Sequence, residues 1–70
     1  MIKKIEEFNK NGVFFVEFNI ELGLQSYQIV FVSKDEKMMP KKGHKKVLQL
    51  EGGDEVLAVL QDIATDYHND

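Results

Sequence analysis

The 70 residues predict an α+β fold, a four-stranded antiparallel sheet followed by one C-terminal helix. Two observations carry this. VFFVEFNIEL alternates apolar residues at period two, the mark of a half-buried strand, and GGDEVLAVLQDIATDY places its apolar residues on one helical stripe. Turn signals at Asn11-Gly12 and Gly23 separate the strand-like segments, so neighbours along the chain are expected to pair as hairpins.

The first segment, MIKKIEEF, is read as a strand because a strand should precede the Asn-Gly turn. Its pattern is mixed: Ile2, Ile5 and Phe8 suit a helix at spacing three, whereas Ile2 and Phe8 alone suit a strand. In the second, Phe14, Val16, Phe18, Ile20 and Leu22 share one face, opposite Val13, Phe15, Glu17, Asn19 and Glu21. The third, YQIVFV, puts Tyr27, Ile29 and Phe31 on one face and Val30 and Val32 on the other, as a central strand would. Pro40 and Gly43 then break the lysine-rich stretch, which reads as an excursion between strands, and KVLQL returns to the sheet through Val47, Leu48 and Leu50. In the last segment Val56, Leu57, Leu60, Ile63, Ala64 and Tyr67 line the helical stripe, with Asp54 and Glu55 in the first turn near the positive end of the helix dipole. Residues 1–70 are expected to form a single domain, without repeat or linker.

A core of this size needs supplementing, and the absence of cysteine removes disulfides and thiolate metal sites. Oligomerisation is the remaining common supplement. With no cysteine, no leader-like apolar run and no segment approaching the roughly 20 apolar residues that span a bilayer, the expectation is a cytoplasmic protein with no membrane partner.

Charge is the main functional clue. The chain carries a net charge of -3, yet Lys34 to Lys46 holds six lysines against Asp35 and Glu36, a local +4 that leaves -7 for everything else. A polyanion responds to the local potential and not to the total. Lysine-rich loops are also common as plain solvated surface and as guards against edge-to-edge aggregation.

Catalysis finds no such clue. His44 lies in the basic segment and His68 near the C-terminus, and neither belongs to a triad or a closed metal set; Asp66, His68 and Asp70 at spacing two offer no enclosed geometry. Gly52-Gly53 lacks the longer loop and lysine of a phosphate cradle and reads as a strand-to-helix joint. The expectation is a non-enzymatic protein without cofactor or metal.

The function that unites the remaining features is single-stranded nucleic-acid binding. Lys37, Lys41, Lys42, Lys45 and Lys46 would neutralise phosphates, and Phe15, Tyr27 and Phe31 could present rings on one sheet surface for bases to stack on, Phe31 being better suited to the core. Nothing here resembles a bidentate reader of base edges, so sequence preference should be weak.

The order of motifs also carries a resemblance. EFN at Glu17 to Asn19, YQI at Tyr27 to Ile29, SKDEKM at Ser33 to Met38, KKG at Lys41 to Gly43, LQL at Leu48 to Leu50 and the acidic start of an apolar helix look like bacterial and phage members of the family of the transcriptional coactivator positive cofactor four. The resemblance runs from Gly12 to Ile63 and implies a curved four-stranded antiparallel sheet with one helix, a homodimer through the C-terminal helix, channels for single-stranded DNA, and a role as a transcription or replication cofactor. It places Lys37, Lys41 and Lys42 in the family's basic hairpin and Tyr27 at an aromatic position of the central strand. Val30 stands where the family usually has arginine, and there is no tryptophan.

An alternative from another class is a small protein-binding regulator or inhibitor, of the kind phages encode, acting through the acidic surface or an exposed sheet edge. The -7 remainder and the absence of arginine favour it, because arginine's planar fork is the usual reader of phosphate.

Overall fold

The computed structural model describes residues 1–69 and shows the α+β fold: a four-stranded antiparallel meander in the order β1-β2-β3-β4, then helices. The strands are β1 (Ile2–Lys10), β2 (Val13–Leu22), β3 (Gln25–Lys34) and β4 (Lys37–Lys42); a short α1 (His44–Leu48) precedes the long α2 (Gly53–Asn69).

Each hairpin is closed by two residues, and each loop opens with a residue at positive φ. Asn11 and Gly12 sit at φ 54° and 80°, as a type I′ turn requires, and Gly23 sits at φ 63°. The third loop uses Asp35 at φ 58°, a residue whose short polar side chain tolerates the left-handed region.

That third turn corrects the placing of the last strand. Lys37–Lys42 is not an excursion but β4 itself, paired with β3 from Lys34↔Lys37 to Val30↔Lys42, and KVLQL is not a strand: Val47 and Leu48 belong to α1. Pro40 is tolerated because β4 is an edge strand, where a position without an N–H need not break a central ladder. Gly43 at φ 84° then turns the chain off the sheet into α1.

The mixed pattern of β1 also has a structural answer. A bulge between Ile2 and Lys4 shifts the register, so Ile2 faces Ile20 and Ile5 faces Phe18 on the same side, whereas Phe8 pairs with Phe15 on the other. Of the three residues at spacing three, the bulge brings Ile2 and Ile5 to one face and leaves Phe8 on the other.

The core lies between the sheet and α2. Val16, Phe18, Ile20, Ile29, Phe31, Met38, Val47, Leu57, Leu60 and Ala64 are buried in one cluster, against which Ile5, Tyr27, Val56, Ile63 and Tyr67 pack in part. Phe18 and Phe31 meet edge to face at 5.6 Å and 87°, the arrangement that aligns a ring's positive edge with its neighbour's negative face. Gln61 donates from Nε2 to the Met38 carbonyl at 2.8 Å, tying α2 to the edge strand β4. α2 packs chiefly on β2, β3 and β4, so β1 extends beyond its cover. Because the apolar stripe of α2 faces its own sheet, the outward face is left to Glu55, Val59, Asp62 and Asp66. Among the described residues no helix is long and apolar enough to cross a membrane.

Candidate nucleic-acid interface on the open sheet face

A helix-covered sheet has a second face, and here it is open. Register alone determines what it presents: Phe8 pairs with Phe15, Phe15 with Val32 and Val32 with Met39, so one apolar row crosses all four strands. Phe8 is 40% exposed, which leaves the β1 end of the row in solvent, and at the β4 end Met39, also 40% exposed, reaches with its sulfur to 3.9 Å from Gln61 Nε2 of α2. Exposed apolar surface of this kind, bordered by charge, marks interaction sites more often than plain surface.

Phe8 and Phe15 stack with centroids 5.2 Å apart and planes 13° from parallel. Lys41 places its Nζ 5.6 Å from the centre of the Phe15 ring, within range of a cation–π contact. The backbone accounts for that placement. Val30 pairs with Lys42 and Phe31 with Pro40, so Lys41 is the additional residue of a bulge, and bulges re-aim side chains. The result is a depression of about 510 Å³ lined by Phe8, Phe15 and Val30 together with Lys10, Lys41 and Lys42.

Electrostatics divides this face in two. At one end Lys4 pairs with Glu6 at 2.8 Å, and Gln28 donates from Nε2 to the Glu17 carboxylate, so the acids there are already engaged. Glu6 raises the pKa of Lys4, first by hydrogen bonding and then by its charge. At the other end Lys10, Lys41 and Lys42 form no salt bridge among the described residues. Free ammonium groups beside stacked rings are suited to a flexible anion that also carries flat apolar groups.

The residues expected from the sequence are thereby sorted. Phe15, Lys41 and Lys42 come together on the open face. Tyr27 does not join them: it pairs with Ile20 and packs in part against the core, so Phe15 and Tyr27 lie on opposite faces and the single ring surface of Phe15, Tyr27 and Phe31 is corrected. Phe31 is fully buried, as its core reading required. Lys37 lies at the β3–β4 hairpin beside a larger hollow of about 840 Å³, where Asp35 and Glu36 offset Lys34 and Lys37. Lys45 and Lys46 are exposed on α1, off the sheet.

Two members were missed from the sequence, Phe8 and Lys10. Their signal was present in the Asn11-Gly12 turn: a two-residue hairpin loop makes Lys10 oppose Val13, and counting back puts Phe8 opposite Phe15. The histidines stand apart from this surface. His44 opens α1, and the His68 ring packs at 5.5 Å from Phe14; Asp70, the third member of the acidic-histidine tail, lies outside the described residues.

Compared with known proteins, the chain matches no family model, no curated protein and no solved structure.

Proposed function

We propose that the chain is a non-enzymatic single-stranded nucleic-acid-binding protein, a transcription or replication cofactor in the manner of the positive cofactor four family, that uses the open sheet face. The observation that carries this reading is the Phe8–Phe15 stack with Lys41 over Phe15, on a surface where Lys10 and Lys42 are also free of acidic partners among the described residues. Lysines capture the phosphate backbone by releasing its counterions, and a base then stacks on an exposed ring. The affinity is salt-dependent for the first reason and tolerant of sequence for the second. Duplex DNA keeps its bases stacked on one another and meets only the charge.

Anisotropy of a labelled oligothymidine, compared with a duplex at low and moderate salt, tests this. Three phosphate contacts would give a slope of log K against log salt of about -2 for the single strand. Phe15→Leu keeps an apolar side chain in the row and removes the ring that stacks on Phe8 and lies under Lys41. It is expected to weaken single-strand binding about tenfold, near the low end of the roughly 1–3 kcal/mol that a stacked base contributes, and to leave the salt slope unchanged. An unaltered affinity would take stacking out of the mechanism.

The protein-binding reading keeps one specific support, the outward acidic face of α2 with Glu55, Asp62 and Asp66 exposed. Its sign would be binding to a basic protein surface that persists when Lys41 and Lys42 are neutralised.

A further inference from the structure

The two edges of the sheet differ in a way that points to a partner for one of them. The β4 edge carries Lys37, Lys41 and Lys42, all of one sign, together with Pro40. Each of these devices discourages another strand from adding there. The β1 edge has no proline, is regular from Lys4 to Lys10 after its bulge at the start, extends beyond the main cover of α2, and is exposed throughout except at half-buried Ile5. Its start is tied to β2: the Met1 amino group donates to the Glu21 carbonyl at 2.7 Å, and the Glu21 N–H donates to the Met1 carbonyl at 2.7 Å.

The charges of β1 are segregated. Lys3 and Lys4 precede Ile5, and Glu6 and Glu7 follow it. Laid antiparallel against itself about a twofold axis at Ile5, this strand sets Lys4 opposite Glu6 and Ile5 opposite Ile5, with Lys3 in the bulge that precedes the regular ladder. Moving the axis by one residue sets Lys4 against Lys4 or Glu6 against Glu6, and a parallel in-register arrangement matches every charge with its like. Cross-strand neighbours of opposite sign stabilise a sheet and like charges destabilise it, so the pattern favours one register. Lys4 and Glu6 already lie together on the open face, as their 2.8 Å ion pair shows, so the partner's pair would meet them in a cluster of four alternating charges.

We propose that the chain forms a homodimer through β1, a second copy adding antiparallel about Ile5 to make one continuous eight-stranded sheet. A twofold interface of this kind is self-complementary by construction, which is what the Lys4-Ile5-Glu6 order supplies. The helix-mediated pairing implied by the family resemblance would instead set Glu55, Asp62 and Asp66 of two copies near one another, since the apolar stripe of α2 faces its own sheet. The β1 dimer stands independently of the nucleic-acid reading. If both hold, the two aromatic–lysine surfaces share one side of the sheet, with the Phe8 rings on the order of 20 Å apart, since each lies three strand residues from the axis.

Light scattering coupled to size exclusion, run at low ionic strength from about 10 μM to about 1 mM, measures the association directly. The wild-type chain is expected at twice its 8.1 kDa mass. Glu6→Lys should be monomeric, and it keeps its fold because residue 6 faces Glu17 across the hairpin, where a lysine is welcome. Lys4→Glu should also be monomeric, and the combined Lys4→Glu and Glu6→Lys exchange, which restores the alternation with reversed signs, should dimerise again. Circular dichroism confirms the fold of each. A wild type that stays monomeric to about 1 mM overturns the proposal, as does a dimer indifferent to Glu6→Lys. A folded double exchange that remains monomeric would overturn the register.

Discussion

Gly43→Ala is expected to lower stability by about 3 kcal/mol or more, which for a domain of this size removes a large share of the roughly 4–10 kcal/mol available. The reason is twofold. Gly43 sits at φ 84°, where an L side chain is strained by about 1–2 kcal/mol, and a Cβ there would stand 1.9 Å from the Gln28 carbonyl oxygen, which as backbone in a central strand cannot move aside. Thermal unfolding followed by circular dichroism should show a drop of about 12 °C or more. Gly12→Ala and Gly23→Ala provide the control: both positions have positive φ, at 80° and 63°, but nothing lies within 4 Å of the added Cβ. These should cost no more than about 1–2 kcal/mol, the backbone strain alone. If all three variants melt alike, the close approach at the β4–α1 corner is not what holds Gly43 in place.

The second large effect is on binding. Lys41→Glu combined with Lys42→Glu should weaken single-strand binding about a hundredfold at low salt and reduce the salt slope by about 1.4, the loss of two phosphate contacts. Both lysines are exposed and form no salt bridge among the described residues, so the fold should be untouched and the melting temperature nearly constant. The same exchange at Lys45 and Lys46, which lie on α1 away from the open face, should reduce affinity much less. Equal losses from the two pairs would mean that only the general positive charge of the segment matters, and that the bulge directing Lys41 over Phe15 has no part in recognition.

Much of the fold was legible in the sequence because one period dominates each element. The alternation of Phe14, Val16, Phe18 and Ile20 leaves only one face to bury, and the stripe from Val56 to Tyr67 can only be a helix lying on it. The fourth strand was not legible for a physical reason. Its turn is made by Asp35 where glycine is the usual signal, and Pro40 marks a break in any strand but an edge one. Val47 misled in the opposite direction: it is a core residue, yet it reaches the core from a short helix at the end of the sheet.

The site was legible only in part, and the difference lies in register. Composition singles out the lysines, but it cannot say that Lys41 is carried onto the open face by a bulge while Lys45 and Lys46 leave the sheet. Ring chemistry alone groups Tyr27 with Phe15. Register through the Gly23-Leu24 loop, with Leu22 opposite Gln25, places it opposite Ile20 and so on the helix side.

On the proposed reading, single-stranded nucleic acid contacts the open face and leaves the acidic back of α2 untouched. Amide chemical shifts of the labelled protein, followed while unlabelled oligothymidine is added at low salt, test it residue by residue. Shifts are expected to concentrate at Phe8, Lys10, Phe15, Val32, Met39, Lys41 and Lys42, with Glu55, Asp62 and Asp66 unmoved. Shifts centred on α2, or none up to a large excess of oligonucleotide, would contradict it.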